Sequence, residues 1–122
     1  MAIRVGINGF GRIGKCVLRV LLAADGFEPV IVNDLAKPKQ LATLLKYDSV
    51  HGNLTNDITA DDTSMTVDGH RILCTSIRDP GQVPWGEAGC DVVMECTGIF
   101  RDRAPMDLFW QRFAFFLAQA AM

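Results

Sequence analysis

The segment Gly9-Phe10-Gly11-Arg12-Ile13-Gly14 constrains this chain more than any other. It matches G-x-G-x-x-G, and its surroundings turn a common glycine pattern into a structural prediction. Ile3 to Ile7, ahead of it, is a short run rich in β-branched residues that reads as a buried strand ending at Asn8-Gly9. Behind it, Ile13, Val17, Val20, Leu21 and Ala24 recur at helical spacing. A helix is therefore predicted from about Gly11 to Ala24, stopped by Asp25-Gly26. Pro29-Val30-Ile31-Val32-Asn33-Asp34 reads as a second buried strand, with Pro29 at its first position, and Asp34 lies 20 residues beyond Gly14. Strand, glycine turn, helix, strand and acid, in that order, are the context that a dinucleotide site demands. Gly9 permits the tight turn, Gly11 lets the backbone approach a pyrophosphate, and Gly14 lets the helix lie close to the strand. The first helical N–H groups, around Arg12 and Ile13, face the phosphates with the positive end of the helix dipole behind them. Asp34 would accept hydrogen bonds from both ribose hydroxyls and repel a 2′-phosphate, which favours NAD over NADP. The pattern alone leaves open FAD enzymes, S-adenosylmethionine methyltransferases and a glycine-rich turn that binds nothing.

Further along, Pro38 can open a helix with Leu41, Leu44 and Leu45 as its buried stripe. Residues 48–63 are polar and read as irregular. Met65-Thr66-Val67 and Arg71 to Ser76 flank Asp68-Gly69, a hairpin turn signal. Asp79 to Gly89 reads as loop or a short helical turn, and Asp91 to Cys96 as a third buried parallel strand. The expected fold is α/β: a partial Rossmann-type parallel sheet with flanking helices and an inserted hairpin. A length of 122 residues allows one domain. A net charge of −2 argues against a nucleic-acid partner, and no apolar run reaches the ~18 residues of a membrane span. The start of the chain has no signal-peptide pattern. Cys16, Cys74, Cys90 and Cys96 contain no C-x-x-C pair, so no metal site is expected, and reduced thiols in a cytoplasmic protein are.

Several segments go further than the fingerprint. Arg4-Val5-Gly6-Ile7-Asn8-Gly9-Phe10-Gly11-Arg12-Ile13-Gly14 resembles the start of glyceraldehyde-3-phosphate dehydrogenase. Val32-Asn33-Asp34, Leu44-Leu45-Lys46-Tyr47-Asp48-Ser49-Val50-His51-Gly52, Arg78-Asp79-Pro80 and Glu95-Cys96-Thr97-Gly98-Ile99-Phe100 are similar to that family too, in its order and spacing. The resemblance covers residues 1–104 and implies a truncated NAD-binding Rossmann domain. It implies Asn8, Gly9, Gly11, Arg12, Ile13, Gly14, Asp34, Arg78, Thr97 and Gly98 as the cofactor-binding set. In that set Arg12 and Ile13 offer backbone donors to the pyrophosphate, and Ile13 packs against the nicotinamide. Asp34 holds the adenosine ribose, Arg78 lies beside the adenine, and Thr97-Gly98 belong to the loop over the cofactor. Erythrose-4-phosphate dehydrogenase is a relative with a similar layout and stays open as an alternative, with a Ser49-Val50-His51 segment that leans away from it.

The family's reaction, the NAD-dependent phosphorylating oxidation of an aldehyde in glycolysis, needs a cysteine nucleophile and a histidine base. The Ser-Cys-Thr-Thr-Asn-Cys-type segment that carries the nucleophile does not occur in these 122 residues, and neither His51 nor His70 takes the base position. No catalytic residue is therefore expected, and the chain alone is expected to be inactive. His70, beside Asp68-Gly69, is expected to be exposed. The expected partners are NAD and the C-terminal half of such an enzyme or further copies of the chain. After Ala104 the resemblance stops. Residues 105–122 hold 13 apolar residues out of 18 and five of the ten aromatics, apolar all round, which reads as a helical, divergent tail. A non-functional truncation or an interaction product is the remaining alternative.

Overall fold

The computed structural model describes residues 2–47, 52, 54–96 and the backbone of 114–117. Strand β1 (Ile3–Asn8) runs into helix α1 (Arg12–Ala23), which returns the chain to β2 (Phe27–Asn33). Helix α2 (Pro38–Lys46) follows, then β3 (Ile58–Ala60), β4 (Ser64–Val67) and β5 (His70–Thr75). A single 3-10 turn, Pro80–Gln82, precedes β6 (Val92–Glu95), and β7 (Ala114–Leu117) comes last. These form one seven-stranded sheet in the order β3-β4-β5-β2-β1-β6-β7. The block β5-β2-β1-β6-β7 is parallel, and β3-β4-β5 is antiparallel.

The α/β reading and the parallel sheet hold, with three differences of detail. The hairpin around Asp68-Gly69 forms, with both residues at positive φ (50° and 83°) as a two-residue primed turn requires. It is not simply an insertion. Its second limb, β5, also pairs with β2 from Ile31↔Leu73 to Asn33↔Thr75, so β5 is the third parallel strand and β6 the fourth. The stretch read as irregular contains β3, whose Ile58 and Ala60 pack against the core. Pro29 sits inside β2 rather than at its start. Its missing N–H is tolerated because β5 begins its ladder with β2 only at Ile31, and Val30 is an extra residue between the partners of Val5 and Gly6.

The helix expected over 105–122 is corrected at residues 114–117, which form β7, paired in parallel with β6 from Val92↔Ala114 to Glu95↔Leu117. The rest of that segment lies outside the described residues. An all-round apolar run suits a strand as well as a helix, and β6 has a whole edge of backbone N–H and C=O groups to satisfy. Ala-Phe-Phe-Leu, rich in aromatics, meets that need.

The core lies on both faces of the sheet. On one face, Leu18 of α1 and Leu41 and Leu45 of α2 are fully buried over Ile7, Val32 and Ile72. Arg19 of α1 ties the two helices together, donating from Nη2 to the Leu45 carbonyl at 2.7 Å and from Nη1 to the Gly52 carbonyl at 2.9 Å. On the other face, Trp85 (1% exposed) packs with Val30, Ile31, Val83 and Val93. Its indole Nε1 donates to the Pro80 carbonyl at 3.0 Å. Gly6 of β1 makes room for it, because a Cβ there would stand 2.7 Å from the indole ring.

Candidate functional site

The carboxyl ends of the parallel strands are where an open α/β sheet binds ligands, at the point where its strand order reverses. Here β1 is followed on one side by β2 and on the other by β6, so the reversal falls at β1, directly beneath the glycine turn. Gly9 has φ +95°, and its N–H donates to the Asn33 carbonyl at 2.7 Å, which anchors the turn to β2. A Cβ on Gly14 would stand 2.0 Å from the Gly9 carbonyl oxygen, so α1 crosses the turn at a distance only glycine allows. A Cβ on Gly11 would meet nothing within 4 Å. The three glycines thus have three different tasks: the turn, an open approach, and close helix packing.

Helix α1 begins at Gly11 with no side-chain cap and no acidic residue in its first turn. No side chain satisfies its leading N–H groups, an arrangement that suits an anion, and the exposed Arg12 adds a positive charge. Ile13 is buried (8% exposed) and belongs to the core beneath. Half-buried Asp34 reaches back to the turn: Oδ1 accepts the Phe10 N–H at 2.9 Å, and Oδ2 accepts the Ala36 N–H at 3.0 Å. The two ends of the fingerprint, 24 residues apart, are joined by that one carboxylate. Arg78 is exposed in the segment after β5. Thr97 and Gly98 lie outside the described residues.

Asn8 is sealed beneath the turn at 3% exposure. Its Nδ2 donates to Glu95 Oε2 at 2.7 Å, and its Oδ1 accepts from Asn33 Nδ2 at 2.8 Å. Thr75 Oγ1 donates to Asn33 Oδ1 at 2.7 Å. A polar ladder therefore crosses the last residues of β5, β2, β1 and β6. Asn33, Thr75 and Glu95 are absent from the expected site. The only trace of them along the chain is a polar residue closing each apolar strand, as in Val32-Asn33 and Met94-Glu95.

Of the four cysteines, Cys74, Cys90 and Cys96 are buried and Cys16 is half-buried. Burial pushes the Cys74 thiol up to about 11 and those of Cys90 and Cys96 to about 12, so all three stay protonated near neutrality. None of the four is in a disulfide. His70 departs from the exposed reading: it is half-buried, with Nε2 2.6 Å from the Pro29 carbonyl. His51 lies outside the described residues. No group of three or more His, Cys, Asp or Glu among the described residues could hold a metal ion. No helix among them is long and apolar enough to cross a membrane. A cavity of about 630 Å³ lies on the α1 face, lined by Val5, Ile13, Val17, Val20 and Met94 among others, all apolar or Cys16. Its lining has no polar group to orient a nucleotide.

An uncapped helix N-terminus, a glycine turn open to approach and an acid at the end of the second strand define a dinucleotide-binding domain of the Rossmann class. The model of the glyceraldehyde 3-phosphate dehydrogenase NAD-binding domain matches residues 3–103. The chain belongs to that family, and its cofactor is NAD. It is 51% identical over 100 residues to a glyceraldehyde-3-phosphate dehydrogenase of Trichormus variabilis, covering 82% of this chain and 29% of the relative. It is 48% identical over 104 residues to the enzyme of Priestia megaterium (85% and 31%), and 46% over 101 residues to that of Debaryomyces hansenii (82% and 30%). The chain thus spans about three-tenths of the length of the curated relatives it matches.

Proposed function

We propose that this chain holds NAD across the carboxyl ends of β1, β2 and β6, as the cofactor-binding part of an oxidoreductase that oxidises a phosphorylated aldehyde in glycolysis. The observation that carries the reading is Gly11, whose Cβ position is empty while that of Gly14 is blocked, at the uncapped start of α1. The pyrophosphate lies against the N–H groups of Arg12 and Ile13 and is drawn there by the helix dipole. Asp34 keeps its two backbone bonds and uses its remaining lone pairs for the ribose hydroxyls. Arg78 flanks the adenine. Ile13 supports the nicotinamide half, and Thr97 and Gly98 close over it. Asn8 serves from below, through the bonds that place the strand ends, while Gly9 and Gly14 hold the turn and helix in register. NAD, when bound, supplies the hydride-accepting nicotinamide.

The nucleophile and base come from a further part of the enzyme, which is the main partner, together with other copies of the chain. The chain by itself turns over no aldehyde, since its buried thiols are held protonated and His70 is tied to a backbone carbonyl. Four thiols outside any disulfide favour the cytoplasm.

Calorimetric titration of the full chain with NAD tests the reading. Saturable binding is expected, at least about 30-fold weaker in Gly11→Val, with NADP binding weaker than NAD because of Asp34. A folded chain with no saturable binding at millimolar NAD overturns it.

A further inference from the structure

Every hydrogen-bonding site on the Asn33 side chain is taken. Oδ1 accepts from the Thr75 hydroxyl at 2.7 Å and from the Ile77 N–H at 2.9 Å. Nδ2 donates to Asn8 Oδ1 and to the Ile77 carbonyl, each at 2.8 Å. An amide has two acceptor positions and two donors, so nothing is left for a ligand, and the residue is 4% exposed. What the side chain does instead is grip Ile77 by both backbone groups, across 44 residues of sequence. Ile77 lies beyond the end of β5, where no strand partner is available to fix it. It immediately precedes Arg78, which is exposed. Asp34, the next residue after Asn33, holds the glycine turn through the Phe10 N–H. Adjacent side chains at the end of β2 thus fix the two segments that follow its neighbours β1 and β5.

We propose that Asn33 is a positioning residue of the dinucleotide site, which sets the place of Arg78 by clamping both backbone groups of Ile77. This rests on the NAD reading above. The side chain acts as a short piece of strand: it supplies the acceptor and donor that a neighbouring backbone would have offered. Because the amide is also braced by Thr75 and Asn8, the clamp cannot rotate without breaking buried bonds, each costly to leave unmade. Arg78 is therefore held over the adenosine side before the cofactor arrives, which spares ordering entropy on binding.

A double-mutant cycle on NAD affinity tests this, with Asn33→Ala, Arg78→Ala and the pair, measured calorimetrically on the full chain. Asn33→Ala is expected to weaken NAD about tenfold. In the Arg78→Ala background the same change should cost less than about twofold, because the residue it positions is gone. A structural role alone would give the same loss in both backgrounds, and that result overturns the proposal, as does an Asn33→Ala protein with unchanged affinity. If Asn33→Ala does not fold, Thr75→Val carries the cycle: it keeps the β-branched shape, removes the hydroxyl bracing Oδ1, and should cost about threefold only when Arg78 is present. Absence of NAD binding by the unmodified chain would overturn the cofactor reading and this inference with it. Binding with independent losses overturns this inference alone.

Discussion

Gly14→Ala and Gly11→Ala differ by a few residues and should fail in opposite ways. At Gly14 the new methyl would sit 2.0 Å from the Gly9 carbonyl oxygen and 3.0 Å from its carbon. An ordinary contact needs more than ~3 Å, so turn and helix must separate by about 1 Å. Neither yields easily, because the Gly9 N–H is bonded to Asn33 and Leu18, one turn further along α1, is fully buried. Overpacking costs ~1–3 kcal/mol and sometimes more. A clash with backbone belongs at or above the top of that range, ~3–4 kcal/mol. Alanine returns about 1 kcal/mol through helix propensity. The net loss of ~2–3 kcal/mol is a large part of the ~5–15 kcal/mol that holds a domain together. With a urea slope of ~1–1.5 kcal/mol per molar, the unfolding midpoint followed by circular dichroism should fall by roughly 2 M. At Gly11 the methyl enters open space, so the midpoint should stay within about 0.5 M, while NAD affinity should drop at least about tenfold. A Gly14→Ala protein as stable as the parent would refute the close crossing of α1 over the turn. A Gly11→Ala protein that binds NAD at full strength would refute the approach of the pyrophosphate over Gly11.

Two further outcomes follow from the buried face and the thiols. Gly6→Ala should destabilise by ~1–3 kcal/mol through its clash with Trp85, and pairing it with Trp85→Leu should recover part of that loss, a non-additivity readable from urea midpoints. Stability should fall as pH rises above about 9, because unfolded thiols near 9.0 lose their protons while Cys74, Cys90 and Cys96, raised to about 11 to 12, keep theirs in the fold. Each such thiol contributes a slope of up to ~1.4 kcal/mol per pH unit between its unfolded and folded values, so a Cys90→Ala protein should show a shallower decline between pH 9 and 10.5.

The elements built from local periodicity were legible in the chain: β1, α1, β2, α2 and β6 fall close to where apolar spacing and glycine place them. What escaped was whatever depends on neighbours distant in sequence. Arg71 to Ser76 shows a hairpin turn beside it, but only its pairing with β2 makes it a core parallel strand. Trp85 lies in a stretch dense with proline and glycine that reads as loop, yet its indole fills the space over Gly6. The tail's apolar residues carry no period that separates helix from strand, and the edge of β6 decides for strand at 114–117. In the site, the glycines and Asp34 declare themselves because their spacing is a local matter. Asn33 does not, since its significance lies in bonds to residues 25 and 44 positions away.

The placement of β6 also dictates an order of events during synthesis. Glu95 pairs with Asn8 across 87 residues, and β6 fills the slot beside a strand made well before it. At ~5–20 residues per second, β1 leaves the ribosome roughly 4–17 s before the strand that covers its flank. Until then one edge of β1 shows unpaired N–H and C=O groups, and the Asn8 amide lacks its carboxylate partner. The β1-α1-β2 unit can assemble early from near neighbours, whereas closing the crevice waits for the longest loop in the sheet. A nascent chain of this kind is most open to misassociation at the very strand end that Asn8 and Glu95 later join.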